Sequence, residues 1–247
     1  MLRKEFNYGD KNNGKKWVSY FDILGFRREC QTNNPSDIFS NYIKKCLEEL
    51  TKRIEKQMPG GSKIESTFFS DSFIIYTSYP LDEPDDRVSF GAIEQASRLF
   101  VEILIQEQIP FRGAMSCDEF YADKTQGVFF GKALVEAYEL AESCDWLGFV
   151  LCPSAICRMK DEGCPIDEYD GYRDLYKQYD IPMRKKVNAS PKSGMACLLS
   201  VSLPTNRQNK LLHSLEEMKA RAKKPEHKAK YDNTLNFLAT FNVIPSS

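Results

Sequence analysis

Histidine is scarce in this chain of 247 residues: only His213 and His227 occur, both in a C-terminal stretch of helical pattern, which argues against imidazole acid–base chemistry. No Gly-x-Ser-x-Gly pentapeptide is present, so the nucleophile elbow of a serine hydrolase is missing, and so is a Walker loop. A dominant charge is missing too. With 34 basic and 35 acidic side chains the formal net charge is −1, so no global field draws the chain to nucleic acid or to an anionic membrane. No run approaches the ~20 apolar residues of a membrane span, and Met1 to Lys16 holds no apolar stretch of signal-peptide length. The expectation is a soluble, cytoplasmic protein that binds neither nucleic acid nor membrane. The eight cysteines lack close paired spacing and read as reduced core thiols, with zinc bound by Cys152, Cys157 and Cys164 as the alternative. We find no internal repeat and no low-complexity segment.

What is present is a pair of aspartates in unusual company. Tyr20-Phe-Asp22-Ile-Leu-Gly-Phe26 and Phe68-Phe-Ser-Asp71-Ser-Phe-Ile-Ile-Tyr76 each set one carboxylate inside an apolar, aromatic-rich run that reads as a buried strand. Burying a carboxylate is costly unless it is paired or coordinates a metal. Hard oxygen ligands on strands suit Mg²⁺ or Mn²⁺, whose remaining positions are filled by water and substrate phosphates. Phosphoryl-transfer chemistry is the first functional expectation. The alternative for each aspartate is a turn residue or a strand-end cap.

The pattern along the chain predicts a strand over Trp17–Leu24 and a long helix opened by Pro35 and carried by Ile38, Tyr42, Ile43, Cys46, Leu47 and Leu50, ending before Pro59-Gly-Gly61. A hairpin follows, Ile64–Phe69 and Phe73–Thr77, with Asp71 at its tip. The acidic run from Leu81 to Arg87 precedes a helix over Val88–Gln108, whose dipole it suits. Strands at Phe111–Cys117 and Gly127–Phe130, a helix at Lys132–Ser143 with Leu134, Val135, Tyr138 and Leu140 on its inner side, a strand at Gly148–Cys152, a helix at Ser154–Lys160 and a strand at Ala196–Val201 complete the series. From Asn206 two helices are expected, with Pro225 near the start of the second. The basic run Lys219–Lys224 reads as a solvated helix face. The order strand, helix, hairpin, helix, strand predicts an α+β fold, a ferredoxin-like βαββαβ sheet covered by helices, with residues 1–205 as the catalytic domain and 206–247 as a helical extension. If the first strand lies beside the hairpin, Asp22 and Asp71 can meet although 49 positions separate them.

FDILGF, FSDSFIIY, FRGAMSCDEFY, GVFFGKALVEAYELAES and GFVLCPSAICRMK, in that order, resemble the class III nucleotidyl cyclase homology domain over about residues 17–203. The whole pattern, including Lys230–Phe237, is most similar to the pyrimidine nucleotide cyclases of bacterial Pycsar antiphage systems. The resemblance implies conversion of CTP or UTP to the 3′,5′-cyclic monophosphate and pyrophosphate, a second messenger in antiviral defence for a separate effector. It implies two Mg²⁺ or Mn²⁺ ions held by Asp22, Asp71 and the backbone carbonyl of Ile23. It also implies a head-to-tail homodimer with composite sites. Cationic help is assigned to Arg112, to Arg184 and Lys185 or Lys186, each with a surface ion pair as the alternative, and to Lys132 at a helix start. Departures from the family are clear: Thr67 and Val128 stand where purine cyclases read the base, and Val135 and Glu139 stand where their asparagine and arginine act. The alternatives are a catalytically silent cyclase-like binding domain and a purine cyclase.

Overall fold

The computed structural model describes residues 12–57, 64–78, 86–184, 192–198 and 205–241. Lys185, Lys186, the Pro59-Gly60-Gly61 breaker and most of the acidic run, Leu81–Asp85, lie outside them. In chain order come β1 (Asn13–Ile23), α1 (Phe26–Thr32), α2 (Pro35–Ile38), a π-helical segment (Phe39–Lys44), α3 (Lys45–Gln57), β2 (Ile64–Phe69) and β3 (Ser72–Thr77). Then follow α4 (Asp86–Gln106), β4 (Phe111–Asp123), β5 (Val128–Phe130), α5 (Lys132–Ser143), β6 (Phe149–Leu151), α6 (Pro153–Asp161), β7 (Tyr176–Ile181), β8 (Lys192–Cys197), α7 (Thr205–Arg221) and α8 (Pro225–Thr240).

Seven strands form the path β2-β3-β1-β4-β6-β8-β7, and β5 pairs with β4. Its first four strands are the predicted ferredoxin-like arrangement, with β1 central and antiparallel to both β3 and β4. Register places residues in rows across the sheet. One row is Phe69, Ser72, Asp22 and Arg112, and the next is Thr67, Ile74, Tyr20 and Ala114. Because side chains alternate between faces, the residues of both rows share one face, and Phe21, Phe73 and Gly113 point to the other.

Each face has its own helical cover. On the Phe21 side, α4 packs Phe100 against Phe21 and Phe73, at ring centroid distances of 5.0 and 4.8 Å. There the buried Ser97 hydroxyl donates to Ser19 Oγ at 2.7 Å, which satisfies both groups. On the Asp22 side lies α5, whose buried Ala133, Ala137 and Ala141 recur every four residues and let the helix approach closely. Ser116 Oγ donates to the Ala133 carbonyl at 2.6 Å. Gly131 starts this helix at φ 145°, and a Cβ there would fall 2.3 Å from the Glu119 carbonyl oxygen, so only glycine fits.

The structure departs from the sequence expectation in several places: the long helix opened by Pro35 is interrupted by the π-helical segment Phe39–Lys44, and β8 lies at Lys192–Cys197, earlier than the strand expected from Ala196. Strand β4 runs six residues beyond Cys117, because Asp118 to Tyr121 find backbone partners in Lys16 to Asn13 of β1 and Tyr121 to Asp123 pair with β5. Strand β7 was not expected. It is an edge strand whose Lys177, Gln178 and Asp180 are polar on both faces, which erases the period-two signal. The short helix α1 was likewise unexpected, since none of its residues is buried.

The C-terminal helices share the core. Leu211, Leu215 and Met218 of α7 and Tyr231, Phe237 and Leu238 of α8 belong to the same buried cluster as the sheet. Phe237 packs on Trp146 with centroids 5.1 Å apart. Thr234 Oγ1 both accepts from Leu147 N and donates to Leu147 O, each at 2.9 Å, while Asn233 donates to the Asp145 carbonyl at 2.8 Å. Lys230 pairs with the Asp145 carboxylate.

Candidate active site at the end of the first strand

Asp22 sits near the end of β1 and is 7 % exposed. Its row neighbour Arg112 on β4 grips it through Nε and Nη2, both on Oδ2, at 2.8 and 2.7 Å. Arg112 is itself buried. Its Nη1 donates to the carbonyl of Glu142 at 2.8 Å and, more weakly, of Cys144 at 3.5 Å, and its Nη2 also meets Glu142 Oε1. Glu142 extends its other oxygen, Oε2, to Arg184 Nη1 at 3.2 Å. The result is a chain of alternating charge, Asp22, Arg112, Glu142 and Arg184, drawn from β1, β4, α5 and the segment after β7.

Backbone pairing holds that chain together. Cys144 bridges Met183, Asp145 N donates to Pro182 O at 2.7 Å, and Arg184 N donates to Ser143 O at 2.8 Å. The segment that carries Arg184 is thereby fixed to the end of α5.

Asp71 arrives by another route. The hairpin β2–β3 turns on Ser70 and Asp71, with Ser70 at φ 58°, and the Asp71 carbonyl accepts from Ile23 N at 2.8 Å. Since Asp22 pairs with Ser72, the residue after Asp71, the two aspartates stand at the same end of adjacent strands. Tyr20 registers both electrostatically. Its hydroxyl, 2.8 Å from Ser72 Oγ, is pushed well above the usual phenol range by burial and then by the negative charges of Asp22, Asp71 and Glu142.

Burial raises the Asp22 carboxyl to about 6; Arg112 pulls it down without cancelling the effect, and Glu142 adds to the rise. A buried carboxylate only partly compensated by one guanidinium is a site where a cation would be stabilising. Among the described residues no three His, Cys, Asp or Glu side chains gather as a metal cage. Two aspartates at the same end of adjacent strands are a donor chemistry that would fit Mg²⁺ or Mn²⁺, which keep much of their shell for water and phosphate. Zinc at Cys152, Cys157 and Cys164 does not fit, since among the described residues these three do not gather into a metal-binding group.

The other expected residues are spread more widely. Ile23 follows Asp22 and pairs with Phe111. Lys132, exposed at the first position of α5, is eleven residues from the Ser143 end, about 16 Å along the helix, so within one chain it does not join the Asp22 centre. Thr67 lies one row from Asp22 on the same face, and Phe69, 78 % exposed, ends Asp22's own row at the sheet edge. By contrast Phe68 packs on Phe26 and Phe73 on the opposite face, and Tyr76 is buried with its hydroxyl donating to Glu65 at 2.9 Å. Val135 and Glu139 are exposed on α5. In the basic run, Lys219 pairs with Asp232, Arg221 with Gln108, and Lys224 with Glu226.

Glu142 is the member that sequence reading missed. One signal was available: it is an acid in the last turn of a helix that has no basic residue there, the unfavourable end of the dipole. Such a placement calls for cations from elsewhere, and Arg112 and Arg184 supply them.

No protein-family model and no curated protein matches the sequence. Among solved structures, the catalytic core of a rhodopsin-guanylyl cyclase with converted specificity, bound to ATPαS, superposes with a TM-score of 0.52 at 13 % identity, covering 74 % of this chain and 95 % of that one. An adenylate/guanylate cyclase/hydrolase from Silicibacter pomeroyi gives 0.46 at 12 % identity over 74 % and 95 %. A class III adenylyl cyclase-like ATP-binding protein from Pseudomonas aeruginosa gives 0.43 at 12 % identity over 91 % and 44 %. The first of these establishes that the chain has the fold of a nucleotidyl cyclase catalytic core.

Proposed function

We propose that this protein is a metal-dependent nucleotidyl cyclase that converts CTP or UTP to the 3′,5′-cyclic monophosphate and pyrophosphate. The observation that carries the reading is the placement of Asp22, buried and raised to about 6, beside the turn that presents Asp71. Asp22, Asp71 and the Ile23 carbonyl would hold two Mg²⁺ or Mn²⁺ ions, which when bound supply charge neutralisation for the triphosphate and acidify the ribose hydroxyl. The protein's own task is positioning. Cyclisation needs O3′ in line with the α-phosphorus, so binding must fold the nucleotide into a near-attack shape. Arg112 fixes the orientation of Asp22, and Arg112 and Arg184 offer guanidiniums to phosphate oxygens near the same centre. Phe69 offers an exposed aromatic face in the Asp22 row against which a base can stack. Thr67, short and neutral in the neighbouring row, supports pyrimidine over purine choice, because it brings no ammonium to a purine edge.

Composite sites in a homodimer fit the exposed Phe130, Val135 and Tyr138, apolar side chains beside or on α5, and they would let the Lys132 end of one protomer reach the Asp22 end of its partner. The role in antiphage signalling, with a separate effector for the cyclic product, rests on the sequence resemblance alone.

A second reading is favoured by Val135 and Glu139, which leave α5 without the asparagine and arginine of the family: a silent domain that binds nucleotide. One assay separates the two. The purified protein is incubated with ATP, GTP, CTP and UTP in Mn²⁺ and the products are identified by mass. A cyclic pyrimidine product lost in both Asp22→Ala and Asp71→Ala is the expected result. Cyclic AMP or cyclic GMP as the main product overturns the pyrimidine assignment, and binding without turnover selects the silent domain.

A further inference from the structure

Two guanidiniums converge on one side chain in this protein, and that side chain is a carboxylate on α5. Glu142 gives Oε1 to Arg112 and Oε2 to Arg184, so a single anion bridges cations that arrive from β4 and from the segment after β7. The seat is built. Arg112 is 3 % exposed and is fixed on its other edges by Asp22 and by two carbonyls, while Arg184 is fastened through its backbone to Ser143. It is also open on one side, since the Glu142 and Arg184 side chains retain 30 and 36 % exposure. A bridging carboxylate held by two arginines has the charge and spacing of one link of a polyphosphate, which favours the same bidentate donors.

We propose that Glu142 occupies the seat of the substrate's phosphate chain and sets nucleotide affinity by competing for Arg112 and Arg184; the identity of that substrate rests on the cyclase reading above. An entering polyphosphate takes over the two guanidiniums and Glu142 swings into solvent through its open side. No bond is made or broken in the exchange. At the seat itself one link of the polyphosphate, with about one negative charge, replaces the Glu142 carboxylate against the two arginines and Asp22, and the rest of the chain carries its charge outward through the open side. Glu142 therefore acts as an internal anion that is displaced, and its removal should tighten binding where removal of an ordinary binding residue would weaken it.

The test uses inorganic tripolyphosphate as the probe, in buffer with EDTA, so that neither turnover nor a divalent ion contributes. Calorimetric titration should show Glu142→Gln binding tripolyphosphate about tenfold tighter than the wild type, the scale of losing one charge-assisted competitor at a partly exposed site. Glu142→Asp, shorter by one methylene and unable to bridge both arginines, should fall between them, and it serves if the glutamine variant does not fold. Arg184→Gln in the Glu142→Gln background should return the affinity to the wild-type level or below. Equal or weaker binding by folded Glu142→Gln, or by Glu142→Asp in its place, overturns the proposal. Turnover by the wild type is measured separately, so a protein that cyclises nucleotides while Glu142→Gln binds no tighter refutes this inference alone. A protein that cyclises nothing while Glu142→Gln binds tighter refutes the cyclase reading and leaves the anion seat standing.

Discussion

Arg112 makes the sharpest residue-scale prediction, because among the described residues it is the guanidinium hydrogen-bonded to the buried Asp22 carboxylate. Removing one partner of a buried pair typically costs about 3–5 kcal/mol, and Arg112→Ala should lose stability on that scale in urea unfolding at pH 8. At pH 5 the loss should be smaller, since Asp22 can then take a proton. The same group sets a pH dependence in the intact protein. Its folded pKa of about 6 lies above the ordinary carboxylate value of about 3.9, so between those pH values the folded state holds a proton that the unfolded chain releases. Stability from this group is therefore greatest at low pH and falls as pH rises through that window, in the absence of a divalent cation. Mn²⁺ competes with the proton, so the Mn²⁺-induced rise in melting temperature should be larger at pH 7.5 than at pH 5. An equal shift at both values would argue against Asp22 as a ligand. At this scale the sequence exposed the two aspartates, because a carboxylate within an aromatic strand is conspicuous. It hid Glu142, whose helical neighbours Glu136 and Glu139 make it look like one more solvated acid.

Helix α5 is the element through which the site is assembled, with Gly131 at one end and Glu142 at the other. Gly131→Ala should be severely destabilising, by about 3 kcal/mol or more, since the new Cβ meets backbone and not a flexible side chain. Thermal melting and soluble yield report it directly. Helix α8 acts on the same region from outside. Thr234→Val keeps the shape but strands both polar groups of Leu147, at a cost of about 1–3 kcal/mol in urea unfolding. The long helix α4 was legible because its apolar residues recur at helical spacing. Helix α5 was placed correctly, but its inner face is Ala133, Ala137 and Ala141, and Val135 and Tyr138, expected inside, are exposed, since the large apolar residues drew the reading away from the small ones. The edge strand β7 was not legible, since its polar residues fall on both faces and leave no periodic apolar trace, and α1 fully buries none of its residues.

For the whole molecule, the order of elements was enough to reach the central four-strand arrangement, because a βαββαβ series has few ways to fold. The docking of α7 and α8 into that core was less visible; residue order alone does not say that Thr234 will meet Leu147. Among the described residues no helix is long and apolar enough to cross a membrane. If catalysis needs two protomers, Asp22→Ala and Lys132→Ala should each be inactive alone. An equimolar mixture should regain about a quarter of wild-type turnover, because half of randomly paired dimers then carry one intact site. No recovery on mixing, with both variants dimeric by light scattering, would place all essential groups within one chain.

The hairpin turn at Ser70 and Asp71 has a consequence for engineering. Asp71 is indexed to Asp22 by the ladder between β1 and β3, not by the length of chain that joins them. A reporter peptide spliced between α3 and β2 would thus leave Asp71 indexed to Asp22, while a single residue added to the two-residue turn would shift Asp71 off its mark and, on the cyclase reading, abolish turnover without unfolding the chain.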